Sequence, residues 1–184
     1  MTFDDGPDPD QTPRLLDLLD ERGIVATFYL IGSKVESHPE IARRIASAGH
    51  ELGNHSWSHG FLTTQSARSV RREIEETNLV IEEATGVRPE TLRPPYGAVT
   101  PSLSGWVEQD FGLRTVLWSV DAADWEDPEP ETITERLTES IDPGAILLAH
   151  DPLPSTVAAM PGTLDRLVEN GFELVSVSAL LGSG

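Results

Sequence analysis

Two adjacent aspartates and two spaced histidines are the residues of this chain best suited to metal chemistry. Asp4 and Asp5 lie in "TFDDGP", and His55 and His59 lie in "HSWSH". A spacing of four places both imidazoles on one side of a helical turn. Two imidazoles and one carboxylate can hold a divalent ion and leave positions open for water. Taken alone, the same residues also fit an Asp-rich turn and a pair of polar loop histidines.

The second aspartate gives the pair a further possible use. Zinc lowers the pKa of a bound water to roughly 7, and a free carboxylate can then accept its proton. Because neighbouring side chains after a strand point in different directions, the two acids can divide these tasks. The sequence therefore predicts one aspartate as a metal ligand and the other as a base.

Three further clusters carry polar residues that could complete a hydrolytic site. Arg93 in "RPPYG" could orient a carboxylate through a charge-assisted pair. The two prolines after it would hold Tyr96 and its N–H in place, as a developing oxyanion requires. His150 ends the apolar run "AILLA", and Asp124 in "DAADW" could keep it protonated. A surface arginine and a core histidine are the plainer interpretations.

Short apolar runs alternate with amphipathic segments along the whole chain. Strands are predicted at "ATFYLI" (26–31), "RTVLWSV" (114–120), "AILLA" (145–149) and "ELVSVS" (173–178), among about seven strand–helix units. Helix starts are predicted at Thr12, at a Ser37–Glu40 capping box and at Thr100-Pro101, and a long helix at 66–85. Such alternation indicates an α/β fold with mostly parallel strands, a distorted (β/α)7 barrel occupying residues 1–184 as one domain.

All five polar clusters follow predicted strands, which is the face where parallel barrels carry their active sites. Four further aromatic and imidazole side chains are expected to have structural roles. Trp106 and Trp118 are expected to pack in the core, and His38 and His50 to lie on the surface.

The charge and the composition restrict the partners. A formal net charge of −18, with 31 acidic residues, disfavours nucleic acid. No apolar run reaches the ~20 residues of a membrane span. With no cysteine, a metal must be held by imidazole or carboxylate. The abrupt start at Met1 suggests a trimmed signal, so the expected location is the cell envelope or outside, and otherwise the cytoplasm.

The five motifs "TFDDGP", "HSWSH", "RPPYG", "DAADW" and "LAH" occur in the order found in a known family. The chain resembles the polysaccharide deacetylases of carbohydrate esterase family four, which share the nodulation-protein-B homology domain. The resemblance implies a distorted barrel of about seven strands that removes acetyl groups from sugars with a divalent metal. Zinc is the metal expected, with cobalt or another divalent ion as alternatives.

The resemblance also implies a role for each residue of the site. It assigns Asp4 as general base, Arg93 as its orienting partner, and Asp5, His55 and His59 as metal ligands. The Tyr96 N–H would stabilise the oxyanion, and His150, tuned by Asp124, would be the general acid. Leu148 would line the acetyl pocket and Trp125 a groove wall.

Other functions remain open at this point. The expected substrate is a carbohydrate such as chitin oligosaccharides or peptidoglycan, and a monomer is favoured. A hydrolase of the same fold acting on a non-sugar amide is the first alternative. A sugar-binding module without catalysis is the second.

Overall fold

The fold is an α/β arrangement of one parallel sheet covered by helices. The computed structural model describes residues 1–182. Its strands are β1 (Thr2–Gly6), β2 (Thr27–Leu30), β3 (Glu51–Asn54), β4 (Thr91–Leu92), β5 (Arg114–Thr115), β6 (Val120–Asp121) and β7 (Leu147–His150). Its helices are α1 (Gln11–Asp20), α2 (Gly32–Ser37), α3 (Pro39–Ser47), α4 (Ala67–Thr85), α5 (Pro101–Phe111), α6 (Pro130–Thr138), α7 (Pro154–Glu169) and α8 (Val177–Leu180).

The seven strands form one parallel sheet in the order β5-β4-β3-β2-β1-β7-β6. This order confirms the predicted distorted barrel, with β5 and β6 as the two edges of a curled sheet. Strand β1 lies between β2 and β7, and Asp4 pairs with His150 in the ladder to β7. The carboxyl end of β1 is therefore near the middle of the face that carries the site.

The core forms between the sheet and the helices. Strand β2 is buried along its whole length, as its β-branched and aromatic composition predicts. Phe28 of this strand lies 5.3 Å from Phe3 of β1, between ring centroids. Leu15 and Leu16 of α1 and Leu164 of α7 pack into the same cluster. This packing fixes the central strands, whose ends carry the two aspartates.

The predicted strand at 114–120 is divided into two short strands. Strand β5 pairs with β4 at one edge of the sheet, and β6 pairs with β7 at the other edge. The residues between them cross from one edge to the other: the N–H of Val116 still donates to the Leu92 carbonyl at 2.9 Å, and the N–H of Ser119 already donates to the Ile146 carbonyl at 3.0 Å. A local β-pattern cannot reveal that crossing.

The predicted strand at 173–178 was wrong. This segment leads into α8, and side chains rather than a neighbouring strand satisfy its backbone. The N–H of Val177 donates to Thr27 Oγ1 at 2.9 Å, and the N–H of Ser178 donates to Glu51 Oε2 at 2.8 Å. The apolar pattern is typical of a strand, but here it buries Val177 and packs Leu174 against the core.

Two of the predicted helix starts were also wrong. Thr12 lies inside α1, where its hydroxyl donates to the Asp151 carboxylate at 2.6 Å. Ser37 ends α2 and donates to the Ser33 carbonyl, so it forms no capping box. By contrast, Thr100 caps α5 as predicted, through a bond from the N–H of Leu103. The long helix predicted at 66–85 is confirmed as α4, with Ser66 as its N-cap.

His50 is buried, contrary to its predicted surface position. It is 7% exposed, its Nδ1 accepts from the N–H of Ala26 at 3.2 Å, and its ring lies 5.3 Å from that of Phe28. Burial lowers its pKa, although Asp20 acts in the opposite direction. In the part of the chain described, no helix combines the length and apolarity needed to cross a membrane.

Candidate active site

The two aspartates face different partners, as predicted from their position after a strand. Asp4 continues the regular ladder and is 2% exposed. Asp5 has a φ of 71°, and the register of β1 against β2 shifts between Asp4 and Gly6. This irregular backbone turns the Asp5 carboxylate towards the loop that carries His55 and His59, called the histidine loop below. The Asp4 side chain lies behind that of Asp5.

Asp5, His55 and His59 converge in a way that fits a divalent metal ion. Asp5 Oδ1 lies 3.2 Å from His55 Nε2 and 3.1 Å from His59 Nε2. Asp5 Oδ1 is nevertheless buried without a hydrogen-bond partner, because neither contact has hydrogen-bond geometry. Within the described residues, one ligand atom from each side chain lies within 4.8 Å of the others. Three converging donors with an unsatisfied oxygen among them are the arrangement that a cation would satisfy.

The tautomer of His55 also suits the binding of a metal ion. Its Nδ1 lies 2.6 Å from the carbonyl oxygen of Arg93, which can only accept. Nδ1 therefore carries the proton, and the lone pair of Nε2 faces Asp5.

The histidine loop is not helical, so the predicted helical turn was wrong although the pairing was right. Ser56 and His59 both have positive φ angles. The N–H groups of Trp57 and Ser58 donate to Glu73 Oε2 of α4 at 2.9 and 2.8 Å. Asn54 accepts from the N–H of Ser56 at 2.8 Å. Side chains from a distant helix and from β3 thus fix a loop that has no regular structure.

Arg93 and Asp4 form a buried ion pair. Arg93 has no exposed surface, and its Nη1 donates to Asp4 Oδ1 and to Thr2 Oγ1, both at 2.7 Å. Its guanidinium also lies over the Tyr29 ring, 4.1 Å from the centroid. The pair holds the Asp4 carboxylate in one orientation beside the metal candidates, 3.7 Å from His55 Nε2.

His150 and Asp124 form a second pair on the other side of β1. His150 Nδ1 lies 2.6 Å from Asp124 Oδ1, and the other carboxylate oxygen accepts from the His150 N–H at 2.7 Å. The Thr156 hydroxyl also donates to that oxygen. Burial tends to lower the pKa of His150, but Asp124, with smaller contributions from Asp5 and Asp4, raises it to about 9. The imidazole is therefore cationic at neutral pH.

Tyr96 lies in a tight turn directly after β4. It has a φ of 61°, and Gly97 has a φ of 64°. A Cβ on Gly97 would approach the Trp118 ring to 2.8 Å, so both conformation and space require glycine there. The Tyr96 ring meets the ring of His59 edge-on at 4.7 Å. The turn therefore holds the Tyr96 backbone beside the histidine loop.

Most of the predicted site residues line a single pocket. Arg93 and Asp124 lie behind it and support Asp4 and His150. The lining residues are Asp4, Asp5, Ile31, Lys34, His55, His59, Tyr96, Trp118, Asp121, Trp125, Leu148, His150, Pro152 and Leu153.

The sequence reasoning missed six of the lining residues, and two of them, Trp118 and Lys34, make specific contacts around the site. Trp118 was predicted to pack in the core, but it lines the pocket and packs over Gly97 and the Arg93 guanidinium. Lys34, the one lysine in the chain, donates to the carbonyl of Asp5 at 2.8 Å. Its rarity among 31 acidic residues was a signal that could have found it.

The fold and this site together define a parallel-barrel protein with a candidate metal centre at the carboxyl ends of its strands. The family model for polysaccharide deacetylase matches residues 1–116, and the chain belongs to this family. The chain is 38% identical over 182 residues to a peptidoglycan-N-acetylglucosamine deacetylase of Listeria monocytogenes, covering 99% of this chain but 38% of that protein. It is 34% identical to a chitooligosaccharide deacetylase of Rhizobium leguminosarum bv. trifolii, covering 96% of this chain and 88% of the relative. The chain thus spans little more than a third of the length of the first of these two relatives.

Solved structures agree with this assignment. The peptidoglycan deacetylase of Bacillus subtilis superposes with a TM-score of 0.92 at 37% identity, covering 99% of this chain and 88% of that one. A family 4 pseudoenzyme from Bacillus anthracis superposes with a TM-score of 0.93 at 33% identity, covering 99% of this chain and 64% of that one. Since a pseudoenzyme shares the fold, activity has to be argued from the site residues themselves.

Proposed function

We propose that this chain hydrolyses acetyl groups from N-acetylated carbohydrates, with O-acetylated ones as a further possibility, using a divalent metal ion. The observation that carries the proposal is the convergence of Asp5, His55 and His59 beside a separate, buried carboxylate, Asp4. Chitin oligosaccharides and peptidoglycan are the substrates that the relatives' names suggest.

The metal would be held by the carboxylate of Asp5 and the Nε2 atoms of His55 and His59. Zinc suits two imidazoles and one carboxylate best, and cobalt or another divalent ion is the alternative. A divalent ion there would polarise the acetyl carbonyl and lower the pKa of the attacking water. The remaining work of the reaction falls to side chains and backbone of the chain.

Asp4 is the proposed general base. It accepts a proton from the water as the oxygen attacks the acetyl carbon, and its ion pair with Arg93 keeps it oriented for this step. The N–H of Tyr96 donates to the oxygen that becomes negatively charged. Leu148 lines the pocket where the acetyl methyl group would lie, and Trp125 forms a wall of the groove.

His150 is the proposed general acid. Asp124 keeps its imidazole protonated, so that it can give a proton to the sugar nitrogen as the carbon–nitrogen bond breaks. The products are acetate and a free amine. An ionised Asp4 and a protonated His150 are needed together, which gives a bell-shaped dependence of the rate on pH.

Acetate release from a panel of substrates tests this proposal. The panel contains chitin oligosaccharides, peptidoglycan, acetylated xylan and a cyclic ureide, each with added zinc and with chelator. Release from a glycan that depends on zinc supports the proposal. Cleavage of the ureide alone would favour the non-sugar amidase instead. Binding of a glycan without release, with metal present, would indicate a module that has lost catalysis.

The proposal extends to location and assembly. A peptidoglycan substrate would place the protein at the cell envelope or outside the cell. We propose that the chain acts as a monomer, because the proposed metal ligands, base and acid form a complete set within one chain.

A further inference from the structure

An exposed pair of stacked aromatic rings lies beside the pocket. Phe61 and Tyr96 have ring centroids 4.1 Å apart and an interplanar angle of 19°. Phe61 is 48% exposed and Tyr96 is 58% exposed. The stack contributes to the fold, but each of the two residues keeps about half of its surface in water. Exposed apolar surface at the rim of a pocket commonly marks a binding site.

The Phe61–Tyr96 pair contacts one of the candidate metal ligands, His59. The Tyr96 ring meets His59 edge-on, and Phe61 stacks on Tyr96, so the three rings form a row leading outward from the pocket. The fold does not need the Phe61 ring to anchor its segment. The next residue, Leu62, is 2% exposed and packs with Val70 and Ile74 of α4.

The apolar aromatic surface of Phe61 and Tyr96 is suited to the flat face of a sugar ring. A pyranose ring presents C–H groups on its faces and hydroxyl groups around its edge, so its faces can lie on aromatic rings while its edge stays hydrated. Phe61 offers no hydrogen bond, and a net charge of −18 does not repel a neutral sugar. Trp125, 64% exposed, follows β6 on the opposite side of β1 from β4, so aromatic surface lies on both sides of the catalytic strand.

We infer that Phe61, stacked on Tyr96, is a platform for a pyranose ring next to the acetylated unit, so that this site takes oligomers in preference to single sugars. The inference rests on the proposed function, since it places the neighbouring unit relative to the deacetylated one. It makes Phe61 a determinant of substrate length. Tyr96 then has two uses, its N–H in the reaction and its ring as the support of the platform.

The test compares acetate release from the chitin pentamer and from single N-acetylglucosamine, with zinc, for the wild type and Phe61→Ala. We expect the ratio of kcat/KM for pentamer over single sugar to fall about tenfold, or about 1.4 kcal/mol, through a higher KM for the pentamer. Phe61→Tyr keeps a ring and should stay within about twofold of the wild type. Leu79→Ala removes a similarly exposed apolar side chain from α4 and should leave the ratio unchanged.

An unchanged ratio in Phe61→Ala would overturn the inference. This includes an equal fall in kcat on both substrates, which would mean that Phe61 only steadies Tyr96. If the wild type releases no acetate, the proposed function fails, and calorimetric binding of the pentamer to the zinc-loaded protein decides the inference instead. Weaker binding by Phe61→Ala would then support the platform, and equal or absent binding in both proteins would refute it.

Discussion

The guanidinium of Arg93 lies directly behind the carboxylate of Asp4, with Nη1 2.7 Å from Oδ1 and neither residue more than 2% exposed. Each charge is removed from water and depends on the other for its compensation. The pair therefore joins the stability of the fold to the orientation of the proposed base.

Replacing Arg93 with methionine should destabilise the metal-free protein by about 3–5 kcal/mol, because it leaves the Asp4 charge buried and unpaired. Urea unfolding of the metal-free protein at neutral pH measures this change. Arg88→Met is the matched control, since Arg88 pairs with Glu82 at the surface and its loss should cost less than about 1 kcal/mol. Adding Asp4→Asn to Arg93→Met should recover part of the loss. Equal losses of unfolding free energy in Arg93→Met and Arg88→Met would show that the buried pair stabilises the fold no more than a surface pair.

The alkaline limit of activity should report the protonation of His150. Asp124 raises its pKa above the ordinary 6.5, so the rate should fall as the pH rises through an alkaline limit. Asp124→Asn removes the main charge that raises the pKa while burial still lowers it, so the limit should move to lower pH.

The pH profile of kcat/KM, measured with saturating zinc, tests this shift. Asp127→Asn is the control, an equal change of charge in the next turn at a position whose positive φ asparagine tolerates. The same pair contributes stability that is fully present below pH 6.5 and lost as the pH rises through about 9. If the alkaline pH limit of kcat/KM does not move in Asp124→Asn, the general acid is a residue other than His150.

Buried His50 should make the fold sensitive to acid. Its folded pKa is lowered below the ordinary 6.5, so the unfolded chain binds the proton more readily. The stability that the neutral His50 ring contributes is present above pH 6.5 and is lost as the pH falls below that value. In His50→Gln, the free energy of unfolding should differ less between about pH 7.5 and about pH 5 than in the wild type. His38→Gln, at a half-exposed position, should keep the wild-type difference. A His50 variant with undiminished acid sensitivity would refute this account.

Glu73 should govern metal affinity without touching the metal. Its carboxylate accepts from Trp57 and Ser58, which hold the loop between His55 and His59. Loss of such outer contacts typically costs 10–100-fold in metal affinity, so we expect Glu73→Ala to weaken zinc binding by about tenfold. Competition with a chromophoric chelator measures this change. Glu76→Ala, on the same helix and paired only with Arg72 at the surface, should bind zinc like the wild type. Equal affinities of the two variants would mean that the loop needs no anchor.

Local sequence predicted the strand ends well and the distant contacts poorly. The motifs at the ends of β1, β3, β4 and β7 depend on short spacings, and the parallel sheet brings them together whatever lies between. Arg93 and Asp4 could be paired in advance because the family resemblance assigns Arg93 as the orienting partner of the base. The role of Glu73 depends on how α4 packs against a loop that has no regular structure of its own.

The errors have the same origin. His50 is buried because β3 begins beside Phe28, and Trp118 reaches the pocket because its segment crosses between the sheet edges. Thr12 bonds to Asp151, 139 positions away in the sequence, instead of capping its own helix. Each outcome is decided by a neighbour far along the chain, which hydrophobic periodicity and capping preferences do not encode.

The division of labour between Asp4 and Asp5 is the central claim, and paired zinc titration and acetate release test it most directly. Asp4→Asn should bind zinc with nearly wild-type affinity and lose almost all turnover, since the base is gone and the three ligands remain. Asp5→Asn and His55→Ala should lose both zinc and turnover. An Asp4→Asn protein that loses zinc as severely as Asp5→Asn would contradict the assignment of ligand and base.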